Sequence, residues 1–167
     1  MFEVGEYIVY GSNGVCKVEA VGKLKVPGMS KDKLYYTLSP YNAKGSKIFT
    51  PVDNKKVVMR PVISKKEAIE LIENIKNIDL LEIPDESRIE EEYKEALRKC
   101  DCRELVKLIR TINKRISVRL KEGKKITAGD EKYLQMAEEY LLSELSIPLE
   151  MEKEQVKELI LKEVGNF

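Results

Sequence analysis

Tyr7-Ile8-Val9-Tyr10-Gly11-Ser12-Asn13-Gly14-Val15-Cys16-Lys17-Val18-Glu19-Ala20-Val21 is the stretch whose reading decides the fold. Its first four residues are β-branched or aromatic, the composition of a strand. Gly11-Ser12-Asn13-Gly14 is a dense turn signal. From Val15 to Val21 apolar and polar residues alternate, the period of a half-buried strand. Working outward, Pro27-Gly28 breaks the chain and Leu34-Tyr35-Tyr36-Thr37-Leu38 reads as a third strand. Asn42-Ala43-Lys44-Gly45-Ser46 is a further turn, Lys47-Ile48-Phe49-Thr50-Pro51 a fourth strand, and Val57-Val58-Met59-Arg60 a short fifth. Five short strands with tight connections predict a small, strongly bent antiparallel sheet or barrel. A β domain of about 60 residues is marginal alone.

The pattern changes at Pro61. Ser64 with Glu67 three residues on reads as a capping box. Ile69, Leu71, Ile72, Ile75 and Ile78 then recur at helical spacing. Pro84 marks a break. A second helix is expected from Asp85 to Lys99, a third from Arg103 to Lys121, and a fourth from Ala128 to Leu145. Thr127 would cap the fourth, with Asp130 as its acidic N3 residue. Pro148 interrupts, and Lys153 to Val164 reads as a fifth helix. The fold class is therefore α+β: a β domain over residues 1–60, then an all-α domain of about five helices over 61–167.

Net charge is only +1, but it is unevenly distributed. Residues 1–60 hold ten Lys/Arg against five Asp/Glu, and the rest of the chain twenty against twenty-four. Cys16, Cys100 and Cys102 have no metal-ligand spacing, and free buried thiols in a reducing cytoplasm are the better reading. No histidine is present, so the commonest general base is missing. Glu90-Glu91-Glu92 reads as a solvated helix face, and Gly11–Gly14 is too short to cradle phosphates. Neither an enzyme, a metal site nor a cofactor is expected. No apolar run approaches the ~18 residues of a membrane span, and a cytoplasmic protein is expected.

The opening Val4-Gly5-Glu6-Tyr7-Ile8-Val9-Tyr10-Gly11-Ser12-Asn13-Gly14-Val15-Cys16-Lys17-Val18 resembles the start of the CarD/CdnL family of bacterial transcription factors. The same module is similar to the polymerase-interacting domain of transcription-repair coupling factor. Phe49-Thr50-Pro51-Val52-Asp53-Asn54 resembles a second signature of that β domain. In the helical part, two blocks resemble successive helices of the CarD-type C-terminal domain. One is Asp101-Cys102-Arg103-Glu104-Leu105-Val106-Lys107-Leu108-Ile109-Arg110-Thr111. The other is Thr127-Ala128-Gly129-Asp130-Glu131-Lys132, running on to Leu145. The resemblance implies a Tudor-like β domain docked on the RNA polymerase β subunit. It also implies a helical domain on promoter DNA at the upstream edge of the melted region, modulating the open complex without enzymatic activity. A monomer is expected. The polymerase contact then falls on Lys23, Leu24, Lys25, Lys47 and Phe49, in strands where the family uses arginines. Lysine lacks arginine's planar fork, so the contact cannot be chemically identical.

Two readings stand for the β-domain lysines: a surface for an acidic partner, or protection of edge strands from aggregation. On the third helix, Leu105, Ile109, Ile112, Ile116 and Leu120 form one apolar stripe at 100° per residue. Arg103, Lys107, Arg110, Lys114 and Lys121 cluster at the opposite pole, and the Lys124-Lys125 loop follows. Residues 98–125 hold eleven basic and three acidic residues. These seven cations are the candidate DNA contacts, suited to backbone phosphates rather than to base reading. The alternative is a solvated face satisfied by the acidic second helix. Many family members carry a tryptophan wedge near the start of that helix, and this chain has no tryptophan. Ile83 and Ile89 are the apolar residues nearby, and core is their better assignment. The rival function is an adaptor whose helical domain meets an acidic protein surface and never touches DNA.

Overall fold

The computed structural model describes residues 1–165 and 167 and divides into two compact units, Met1–Val62 and Ile63–Phe167. Unit 1 is a five-stranded antiparallel sheet: β1 (Tyr7–Tyr10), β2 (Val15–Gly22), β3 (Tyr35–Pro40), β4 (Ile48–Pro51) and β5 (Met59–Pro61), in spatial order β4-β3-β2-β1-β5. The β1–β2 register pairs Ile8 with Cys16 and Val9 with Val15. Because side chains alternate along a strand, this register gathers Ile8, Tyr10, Cys16, Val18, Tyr36 and Leu38 into one buried cluster. The turn between β1 and β2 is a short 3-10 helix, Gly11–Asn13. Gly11 has φ +47°, and a Cβ there would lie 2.6 Å from the Val57 Cγ1, so only glycine fits without displacement. Tyr36 OH accepts a hydrogen bond from the Phe2 amide at 2.9 Å, fastening the N-terminal segment over the cluster. Burial raises the Cys16 thiol from its ordinary 9.0 to about 11.

Unit 2 is all helical: α1 (Lys65–Glu73), α2 (Ile89–Arg98), α3 (Cys102–Lys121), α4 (Ala128–Leu149) and α5 (Lys153–Val164). The Ser64–Glu67 capping box forms in both directions. Asp101 caps α3, accepting from the Arg103 and Glu104 amides at 2.8 and 3.2 Å. Thr127 caps α4 as expected. Helix α4 outruns the expected Leu145 because Pro148 falls in its last turn, where Glu150 at φ 53° ends it. The second helix starts later than expected: Asp85 caps a 3-10 turn, Glu86–Arg88, before α2 begins. The core joins Ala68, Leu71 and Ile72 to the inner faces of α3, α4 and α5. Ile83 and Ile89 pack against it half-buried, in keeping with their assignment to the core. Buried Glu144 accepts from the Ile63 amide at 3.1 Å and the Cys102 thiol at 3.1 Å, so a carboxylate at 2% exposure is satisfied locally. The three cysteines are buried and form no disulfide among the described residues. No helix among the described residues is long and apolar enough to cross a membrane.

Candidate functional site

The residues singled out from the sequence fall on two surfaces, one in each unit. In unit 1, Phe49 lies midway along β4, opposite Thr37 of β3, and is 38% exposed. Strand β4 is an edge: among the described residues it pairs with β3 alone. The strand is held from behind. Asn54 Nδ2 donates to the Thr50 Oγ1 at 2.9 Å, and its Oδ1 accepts from the Lys56 amide at 2.9 Å, clamping the turn that follows. That clamp is the physical content of the Phe49–Asn54 signature. Both edge strands end in proline, Pro51 and Pro61. Proline has no N–H to give, so only a short stretch of either edge can accept another strand.

Lys47 is exposed just ahead of β4. The strand expected around Lys23, Leu24 and Lys25 is corrected: β2 ends at Gly22, and those three residues begin the loop toward Pro27-Gly28. Gly22 pairs with Tyr35 and Tyr35 with Pro51, so that loop leaves the sheet at the Pro51 end. Lys47 enters at the other end, roughly 13 Å from Pro51 along the strand at ~3.3 Å per residue. Lys47 and Phe49 thus lie at the β4 edge, whereas Lys23, Leu24 and Lys25 follow β2, two strands away in the order β4-β3-β2.

In unit 2, α3 carries the cations, and the structure corrects their uniformity. Lys107 is half-buried and paired with Glu104 at 3.3 Å, an acid it shares with Lys99 at 3.5 Å. Arg110 is half-buried and its Nη1 donates to the Ile78 carbonyl. Next to it, the Thr111 Oγ1 accepts from the Leu81 amide at 2.9 Å and donates to the Lys107 carbonyl, one turn back, at 2.7 Å. These bonds tie the extended segment 78–83 across the face expected to be an open basic ridge. The reason is width. Val106, Leu108 and Thr111 are buried beside Leu105, Ile109 and Ile112, a broader arc than the stripe at 100° spacing, and positions 107 and 110 border it. The stripe also runs out: Ile116 is only partly buried and Leu120 is 57% exposed.

Arg103, Lys114, Lys121 and Lys125 are exposed, and none has a carboxylate within 4.0 Å among the described residues. Lys124 pairs with Glu122 at 3.1 Å. The loop after α3 is pinned by Arg119, whose Nε donates to the Lys125 carbonyl at 2.9 Å and whose carbonyl accepts from the Lys124 amide at 2.9 Å. The acidic second helix does not neutralise the ridge: Glu90 and Glu91 face Lys94, and Glu95 faces Arg98. Glu86, just ahead of α2, is the exception, meeting Arg115 at 2.7 Å.

Arg115 belongs to a network that sequence reasoning missed. Its Nε faces the Asp130 Oδ2 at 3.5 Å, and Asp130, 2% exposed, accepts from the Tyr93 OH at 2.8 Å. Burial works against the guanidinium's charge, but the Glu86 hydrogen bond, with Tyr93 and Asp130 alongside, outweighs it and holds the Arg115 pKa above its ordinary value. Burial, then the bond to Asp130, pushes the Tyr93 phenol up. Asp130 is thus more than a helix-start residue: it fastens α2 and α3 to α4. The signal was the position of Arg115 on the wheel, between the apolar stripe and the cationic pole.

Comparison with known proteins adds one finding to this geometry. Residues 2–63 match the model of the CarD-like/TRCF RID domain. The matched span coincides with unit 1 to within one residue at each end and leaves the helical unit outside it. No curated protein matches the chain. The five-stranded N-terminal unit is therefore related to the CarD-like/TRCF RID domain, a relationship that points to RNA polymerase as its partner.

Proposed function

We propose that this chain is a transcription regulator that holds the RNA polymerase β subunit with its N-terminal unit and touches promoter DNA with its helical unit. The match of residues 2–63 carries the first half. In this reading the sheet is a Tudor-like barrel. Strand β4 offers a short backbone edge around Phe49, with Lys47 just ahead of it and Lys23, Leu24 and Lys25 in the loop after β2 for acidic neighbours. The helical unit meets phosphates through Arg103, Lys114, Lys121 and Lys125, with Lys107, Arg110 and Lys124 contributing less because each is already engaged. Specificity comes from the polymerase, already seated at a promoter. Tethering raises the local DNA concentration, so weak intrinsic binding suffices to modulate open-complex formation. The protein acts as a cytoplasmic monomer, with no catalytic step of its own. Co-purification with polymerase tests the first half. Phe49→Ser with Lys47→Glu should abolish retention of the chain on polymerase, whereas Lys114→Glu with Lys121→Glu should leave it intact. Retention by the first variant would reject the β4 contact.

The adaptor reading, without DNA contact, is favoured by one observation: the segment 78–83 crosses the basic face and engages Arg110 and Thr111. Four cations without carboxylate partners speak for the DNA reading, since Arg103, Lys114 and Lys121 on one helix face repel at a small cost that phosphates relieve.

A further inference from the structure

Phosphate contact does not use everything that the C-terminal half of α3 displays. A groove of about 450 Å³ runs beside it, with Arg110, Lys114 and Lys121 among its lining residues and no Asp or Glu side chain. Asn113, whose buried Nδ2 has no hydrogen-bond partner, lines the same groove. The rest of the lining is Ser117, the aliphatic side chains Leu80 and Val118, and Phe167; Val118 stands 47% exposed. A neighbouring groove of about 510 Å³ shares Leu80, Lys114 and Val118 and adds Leu81 and Ile83. Leu80 and Val118 therefore border both depressions; the first carries only cationic side chains among its charged lining, and the second sets Glu86 and Glu122 beside Lys114, Arg115, Arg119 and Lys124.

This combination selects among polyanions. A phosphodiester backbone satisfies the cations but brings no apolar group to cover Leu80 and Val118. A protein segment in which Asp or Glu flanks Leu, Ile or Phe satisfies both: carboxylates meet Arg110, Lys114 and Lys121, and an apolar side chain buries Leu80 and Val118. We propose that this groove docks an acidic, apolar-bearing protein segment, which competes with nucleic acid for Lys114 and Lys121. Docking does not depend on the DNA reading; the competition does.

The test uses the full chain and a fluorescent synthetic peptide alternating Glu with Leu and Phe. A control peptide of equal charge carries Ser in place of the apolar residues. The apolar peptide should bind about tenfold more tightly than the control, and Val118→Ser and Lys114→Ser should each weaken it by about fivefold or more. Val118→Ser, an exposed change that spares the core, should leave the affinity for a short DNA duplex within about twofold. Equal binding of the two peptides, or indifference to Val118→Ser, would overturn the docking proposal. Peptide binding as described without any duplex binding would uphold docking and reject the DNA reading. Duplex binding with neither peptide bound would do the reverse.

Discussion

Removing single cations from α3 should change the salt dependence of duplex binding in a residue-specific way. Each phosphate neutralised contributes about 0.9 to the slope of log affinity against log salt. Arg103, Lys114, Lys121 and Lys125 have no carboxylate partner among the described residues, so four contacts set a slope near −3.6, on the order of a 150-fold loss between 50 and 200 mM salt. Replacing Lys114 and Lys121 together by Gln should halve the slope to about −1.8, and the same salt change should then cost only about 12-fold. Lys107→Gln should behave differently. Its ammonium already faces Glu104 at 3.3 Å, so it releases few counterions, and the slope should move by less than about 0.3. Fluorescence anisotropy of a labelled duplex, titrated with the full chain at four salt concentrations, reads all three. Equal slope changes for Lys107 and Lys114 would refute the division of α3 into engaged and available cations. A slope near zero for the wild-type chain would refute phosphate contact altogether.

Three further outcomes follow from the packing. Gly11→Ala places a Cβ 2.6 Å from the Val57 Cγ1 at φ +47°; it should destabilise the sheet by about 1–3 kcal/mol, read as a lowered urea midpoint for that unit. Asp130→Ala strands the Tyr93 hydroxyl and exposes Arg115 to burial without one of its two carboxylates, costing about 2 kcal/mol. Asp130→Asn keeps an acceptor for Tyr93 and should cost less, so equal midpoints for the two variants would contradict the network. The Cys16 thiol is raised from 9.0 to about 11 in the folded state, so the folded chain holds this proton more tightly than the unfolded one. The associated stability is fully present below about pH 9 and is lost as pH climbs from there to about 11. Urea midpoints of the sheet should fall across that window, and Cys16→Val should flatten the fall.

Much of the architecture is written in local signals. The strand-turn-strand reading of Tyr7–Val21 succeeded because the alternation of side chains and the glycine turn are short-range properties that the register preserves. The caps at Ser64 and Thr127 were equally local. Where reading failed, the cause lay in distant partners. Nothing near Arg110 in sequence announces that the Ile78 carbonyl will accept from it, and nothing near Asp130 announces Tyr93 and Arg115. A wheel built on one apolar stripe assigns half of α3 to solvent. Burial of Val106, Leu108 and Thr111 shows a helix with neighbours on more than one side. The β4 edge was legible as a strand. The end of β2 was legible too, since the alternation stops at Val21 and β2 ends at Gly22; it was the resemblance, not the alternation, that put Lys23–Lys25 in a strand.

The most direct test of a two-handed bridge is a footprint of polymerase on promoter DNA, with and without the full chain. With the wild-type chain, protection should extend at the upstream edge of the melted region. Lys114→Glu with Lys121→Glu should lose that extension while the chain still co-purifies with polymerase. An unchanged footprint in the presence of polymerase-bound wild-type chain would contradict the bridge and leave only the polymerase-facing hand.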